Sequence, residues 1–131
     1  MNCLSLSRRP RNYSSVIWTS SETHSGVRFG IAKISLGRRM EIAREIRHLG
    51  QKLQYLEAGD SVTEKAEASI AAAEIDRVYL RCGLVGIEGL DIDGAPASAE
   101  SLFTAGPEAL TREVVEAIKA EWGLSEEQRK N

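Results

Sequence analysis

The chain has 131 residues and a mass of 14.4 kDa, enough for one domain with a single hydrophobic core and no covalent staples. It is 42% hydrophobic and 27% charged, ordinary for a globular chain, and no uncharged apolar run approaches the roughly 18–20 residues that span a bilayer. The net charge of −2 hides a polarity: residues 1–56 carry 10 bases against 3 acids, a net of +7, and residues 57–131 carry 7 bases against 16 acids, a net of −9.

Residues 1–21 hold Arg8, Arg9 and Arg11, many Ser and no acid. That composition is like an organellar transit peptide, but the apolar core of an export signal is missing. The expectation is a disordered basic tail over residues 1–15, followed by a single α-rich domain over residues 16–131. Cys3 and Cys82 make no disulfide framework and read as free thiols of a reducing compartment.

Val16-Ile17-Trp18 is a β-prone run, Val27 to Ile31 alternates apolar with polar, and Ser20 to Gly26 between them is turn-rich. Together they predict a β-hairpin. From Leu36 the period changes. Ile42, Ile46, Leu49, Leu53 and Leu56 step by four and three, the spacing of a helix that packs along one seam. Gly59 is expected to stop this helix in the left-handed conformation. Ser61-Val62-Thr63-Glu64 then reads as a capping box opening a second helix that runs to about Cys82. Its seam is Ala68, Ala71, Ile75, Val78 and Cys82, and the short loop forces the two helices antiparallel. Each seam lasts only about two heptads, so it must close on the other or on another subunit.

Four Gly between Gly83 and Gly94 end the second helix, and Leu90 to Gly94 reads as a short strand entering an Asp-Gly turn. Ser98 caps a brief helix through Phe103. Gly106-Pro107-Glu108 starts another, with Pro in the first helical position. Leu110, Val114, Ala117 or Ile118, and Trp122 line its apolar face, Gly123 stops it, and Ser125 opens a further capped turn. The predicted class is α+β, predominantly α: an antiparallel helical hairpin with a small β-hairpin or strand element and a C-terminal helix.

No catalytic constellation stands out, and no enzyme activity, cofactor or metal is expected. Asp91, Asp93, Gly94 and Glu100 fall at positions 3, 5, 6 and 12 of a calcium loop, but position 1 would be Gly89, without a side-chain oxygen, and position 8 would be Pro96, without an N–H. A tight acidic turn explains the same residues. His24 and His48 have no Cys or carboxylate at ligand spacing, no Ser has a partner His, and the Gly cluster precedes a strand and not a helix, so no phosphate loop is present.

Arg38, Arg39, Arg44, Arg47 and Lys52 make the first helix basic. Phosphate binding is one reading. The pI near 5.8 and the interleaved Glu41 and Glu45 favour the other, a solvated or partner-facing surface. In that reading Glu64, Glu67, Glu74 and Asp76 of the second helix stand ready as counter-charges. Trp122 reads either as an interface anchor or as the closure of a small core.

One stretch carries a resemblance. Gly89-Leu90-Asp91-Ile92-Asp93-Gly94-Ala95-Pro96-Ala97-Ser98, then Glu100-Ser101-Leu102, Pro107-Glu108-Ala109-Leu110, an amphipathic helix and the end Glu126-Glu127-Gln128-Arg129-Lys130-Asn131 resemble the small tail-assembly chaperones of tailed bacteriophages and prophages. Residues 27–40, a strand running into Leu36-Gly37-Arg38-Arg39, are compatible with how such proteins begin. The resemblance implies a non-catalytic helper in the bacterial host cytoplasm that coats the apolar tape-measure protein, or another tail protein, until tube subunits polymerise around it. Candidate partner contacts are Ile42, Ile46, Leu49, Leu53, Leu56 and Trp122, all equally explicable as core. The charge polarity adds a possible homo-oligomer. The alternatives are a structural phage component, such as a head–tail joining or minor tail protein, and a nucleic-acid-binding module led by Arg38, Arg39, Arg44 and Arg47.

Overall fold

The structure, a computed structural model, describes residues 9–124. Its backbone is the sequence β1 (Val16–Ser20), β2 (Arg28–Ala32), α1 (Leu36–Glu57), α2 (Val62–Gly83), β3 (Leu84–Glu88), β4 (Asp91–Ile92), β5 (Ala95–Pro96), α3 (Ala99–Ala105) and α4 (Glu108–Glu121). The α+β, predominantly α class is the one read from the sequence.

The helical hairpin forms as its seams require. Ser35 caps α1, its hydroxyl accepting from the Arg38 N–H at 3.1 Å. The α1 and α2 seams face each other, with Ile42, Leu56, Ala68, Ala71, Val78 and Cys82 buried. Ile46, Leu49, Leu53 and Ile75 stay only half-buried. The turn corrects one expectation. Gly59 is not left-handed: α1 ends on Ala58, whose N–H bonds the Gln54 carbonyl, and Gly59 is absent from the positive-φ residues. Its missing Cβ leaves room for the Glu64 carboxylate, which reaches back to the Ser61 N–H at 3.3 Å while the Ser61 hydroxyl accepts from Glu64 N–H at 3.0 Å. That is the predicted capping box.

β1 and β2 form the expected hairpin, in register from Val16↔Ala32 to Ser20↔Arg28. A third strand, β3, stands where the glycine cluster predicts only the end of α2. It pairs antiparallel with the other side of β2, giving the order β1-β2-β3. Glycine suits this sheet because Trp18 lies across its outer face. A Cβ on Gly30 would sit 2.9 Å from the indole and one on Gly86 3.4 Å from it, while the Arg28 guanidinium covers the ring at 5.6 Å. On the inner face Phe29 and Ile31 join Leu80, Leu102, Leu110, Val114 and Ile118 in the main core.

β4 and β5 close over Asp93 and Gly94, both at positive φ (52° and 83°), which is the Asp-Gly turn predicted. Ser98 caps α3 through the Ser101 N–H. Pro107 is the cap of α4, one residue before the helical position expected of it. Gly123, at φ 73°, ends α4, and the Gly123→Ala120 and Leu124→Lys119 N–H bonds at 3.2 and 2.7 Å complete a Schellman motif. Residues 1–8 of the expected tail, Cys3 among them, and the capped turn from Ser125 lie outside the described residues. Residues 9–15 carry no helix or strand, and Lys33 Nζ stands 4.9 Å over the Tyr13 ring.

Trp122 ties α4 to the sheet. Its Nε1–H donates to the Ala32 carbonyl at 2.7 Å in a buried site, and its ring tilts against Tyr79 at 6.1 Å. Trp122→Phe keeps most of the apolar volume but orphans a buried carbonyl, so it should cost about 2 kcal/mol, measured as a lower urea midpoint at unchanged slope.

Candidate functional site

The ionisable groups assemble into pairs and clasps. Among the described residues no group of three or more His, Cys, Asp or Glu could hold a metal ion. Asp91 and Asp93 are exposed in the β4–β5 hairpin, while Glu100 is gripped by Arg77 through Nη2 at 2.6 Å and Nε at 3.3 Å. Burial pushes the Cys82 thiol up and Glu41 adds to the shift, so Cys82 is a protonated core residue at neutral pH. His24 bonds the Thr23 hydroxyl through Nδ1 at 2.8 Å, and His48 is exposed on α1.

The densest polar cluster surrounds Glu113 of α4. Its carboxylate accepts from the Ser21 hydroxyl at 2.7 Å, the Glu22 N–H at 2.6 Å and the Thr23 hydroxyl at 2.7 Å, which pins the β1–β2 loop to the helix. Partial burial raises this carboxyl, but those donors outweigh it and hold the group below the usual carboxylate range. Nothing in the residue spacing announced this clasp, because its partners are about ninety positions apart.

Among the described residues, helices α1, α2 and α4 enclose an open groove of about 630 Å³. Helix α2 is its floor, through Ala72, Ile75 and Tyr79. Helix α1 is one wall, through Ile46, Gly50 and Leu53, and α4 is the other, through Arg112, Glu116 and Lys119. A further depression of about 430 Å³ shares Ala72 and continues along Ala68 and Ser69 to Glu57 and Lys65. The rim is charged and internally paired: Lys119 Nζ lies 3.5 Å from Asp76, 3.8 Å from Glu116 and 5.3 Å over the Tyr79 ring. The floor is apolar and small. No buried side-chain nitrogen or oxygen among the described residues lacks a hydrogen-bond partner.

Of the candidate partner contacts, Ile42, Leu56 and Trp122 are buried inside this one chain and present no surface. Ile46 and Leu53 stand in the groove, and half-buried Leu49 faces the other side of the hairpin with Val78 and Arg81. The basic residues divide too. Arg38 is engaged, bonding Glu41 at 3.4 Å and the Cys82 carbonyl at 3.2 Å. Arg39, Arg44, Arg47 and Lys52 are exposed, and no carboxylate among the described residues pairs with them. The counter-charges expected from α2 are used elsewhere or stand apart: Glu64 caps its own helix, Asp76 meets Lys119, and the bridge that does join the two helices is Arg81 with Glu45.

Two features of the candidate site are not legible in the residue spacing, the groove and Gly50. A glycine inside a helix costs about 1 kcal/mol relative to Ala, and a Cβ at Gly50 would meet nothing within 4 Å. A helix-interior glycine with no tight turn beside it was the available signal. Compared with protein-family models, with curated proteins and with solved structures, the chain matches none.

The Glu113 clasp has a pH signature. A carboxyl with a depressed folded pKa stabilises fully above its unfolded value, about 4.3 for Glu, and that contribution is lost as pH falls through the folded value. Between about pH 6 and pH 3 the native chain should therefore lose more stability than Glu113→Gln, as read from urea midpoints. Parallel losses would contradict the clasp.

Proposed function

We propose that the protein is a non-catalytic polypeptide-binding helper of the phage tail-assembly chaperone type, which holds an apolar helical segment of a tail protein, the tape-measure protein first, in the groove between α1 and α4. The observation that carries this reading is Gly50. It opens space in the groove that no group among the described residues fills, at a cost to its own helix.

The chemistry of the groove supports a helix as occupant. Its surface offers apolar contact and small side chains at Gly50 and Ala72, with Ala68 in the depression beyond, and its charged groups Asp76, Arg112, Glu116 and Lys119 are already paired. A small polar molecule would have to compete for rim hydrogen-bonding groups already engaged in ion pairs. A helix needs none, since its backbone groups bond each other, and an apolar stripe at spacing i, i+3, i+4 fits a groove of this kind. Small wall residues let two helix backbones approach closely. Among the described residues no helix is long and apolar enough to cross a membrane.

Gly50→Leu tests the reading without dismantling the fold. Leucine is the better helix former by about 0.5–1 kcal/mol, so thermal stability should hold or rise while the side chain fills the groove. Co-expressed with a tape-measure segment, the native chain should keep that segment in solution and co-purify with it, and Gly50→Leu should not. Equal capture by the variant would overturn the groove as the site. Recovery of the chain in stoichiometric amount from purified virions would favour the structural-component reading instead.

A further inference from the structure

The groove is not the only uncovered apolar surface on the hairpin. Nine large hydrophobic side chains are exposed among the described residues, and five of them, Leu36, Met40, Tyr55, Val62 and Ile70, project from α1 and α2 at 60–84% exposure. They are not scattered. On α1 the exposed positions Leu36, Met40, Arg44, Arg47, Gln51 and Tyr55 step by four and three, which places them on one stripe. That stripe lies opposite the seam of Ile42, Ile46, Leu49 and Leu53, so it faces away from α2. On α2, Val62, Ala66, Ile70 and Ala73 form the corresponding stripe, flanked by exposed Glu67 and Glu74. It likewise faces away from α1, ahead of the stretch where Arg77 meets α3.

The two edges differ in charge. Arg44 and Arg47 on the α1 edge have no carboxylate partner among the described residues, and Glu67 and Glu74 on the α2 edge have no cationic one. One edge is apolar with two unpaired arginines, and the other is apolar with two unpaired glutamates on one flank and a single exposed lysine, Lys65, on the opposite flank. They point in opposite directions, so they cannot satisfy each other within one chain.

We propose that the occupant of each edge is a second copy of this chain, with the α1 edge of one copy docking on the α2 edge of the next. The mixture of Leu, Met, Tyr and Arg is the composition of a protein–protein patch, and the exposed apolar residues set this edge apart from a purely phosphate-binding face. Because the two surfaces are different patches on opposite sides, the contact is heterologous. Repetition yields a ring or an open row and not a two-fold dimer. The inference stands apart from the groove, which lies on a different face of the hairpin and is read by different variants.

A charge exchange tests it. Arg44→Glu with Arg47→Glu makes both edges acidic, and Glu67→Arg with Glu74→Arg makes both basic. All four positions are exposed, and circular dichroism should show both variants folded. Sedimentation should find the native chain growing beyond two copies with concentration. That growth should weaken when salt rises from about 0.1 M to about 1 M, which shortens the Debye length from about 10 Å to about 3 Å. Each variant alone should stay monomeric at concentrations where the native chain associates. Mixed in equal amounts they should associate again, because each α1 edge now matches the other's α2 edge. A native chain that is monomeric throughout, or that stops at two copies, overturns the proposal. So does a folded pair of variants that fails to associate on mixing. Salt-sensitive binding of a polyanion by the monomer, lost only in the arginine variant, assigns the α1 edge to nucleic acid and overturns it as well.

Discussion

Helix α2 must be buried on two sides at once, and the rest of the structure follows from how far it manages this. One side takes the α1 seam; the C-terminal half of the other takes α3, α4 and the sheet. Where both are satisfied, around Val78, Tyr79, Leu80 and Cys82, the core is closed. Toward the turn only Leu53, Leu56, Ala68 and Ala71 remain in contact. Alanine buries little area, so this end of the hairpin is held by few apolar contacts. The same shortage that limits its stability leaves the groove beside it uncovered.

The β elements and α4 serve as an anchor for that hairpin. Trp122 hydrogen-bonds the last residue of β2, and the Glu113 clasp fixes the loop that precedes β2. These contacts join the sheet and α4 into one base from which α1 and α2 extend. On this base the helical pair presents the groove, whose lining is shared with the core, and two edges whose exposed side chains lie outside it. Groups that are free of folding duty are the ones available for recognition.

The disposition of charge separates chemistry from docking. Each inward or interfacial charge has a partner: Glu113 its loop, Lys119 its two acids, Glu100 its arginine. The charges left over are exposed and lie on helix surfaces. Isolated exposed ions contribute little to stability, about 0–1 kcal/mol even when paired. Their grouping by sign on opposite edges therefore adds little to the stability of the fold.

Local signals determined the elements in this chain. The four-and-three steps of α1 and α2, the Ser61–Glu64 box, the Asp93-Gly94 turn, the Ser98 cap and the Gly123 stop all act within a few residues, so each could be read directly from spacing. What only tertiary structure decided were relations between distant residues. β3 was illegible because its partner strand β2 lies more than fifty positions earlier, and pairing across that separation leaves no mark in local spacing. The clasp on Glu113 and the hydrogen bond of Trp122 close over about ninety positions. The candidate surface was half visible: the seam residues were named, but periodicity cannot say which of them a neighbouring helix covers. Only packing withdrew Ile42, Leu56 and Trp122 into the core and left Ile46 and Leu53 beside Gly50 at the groove.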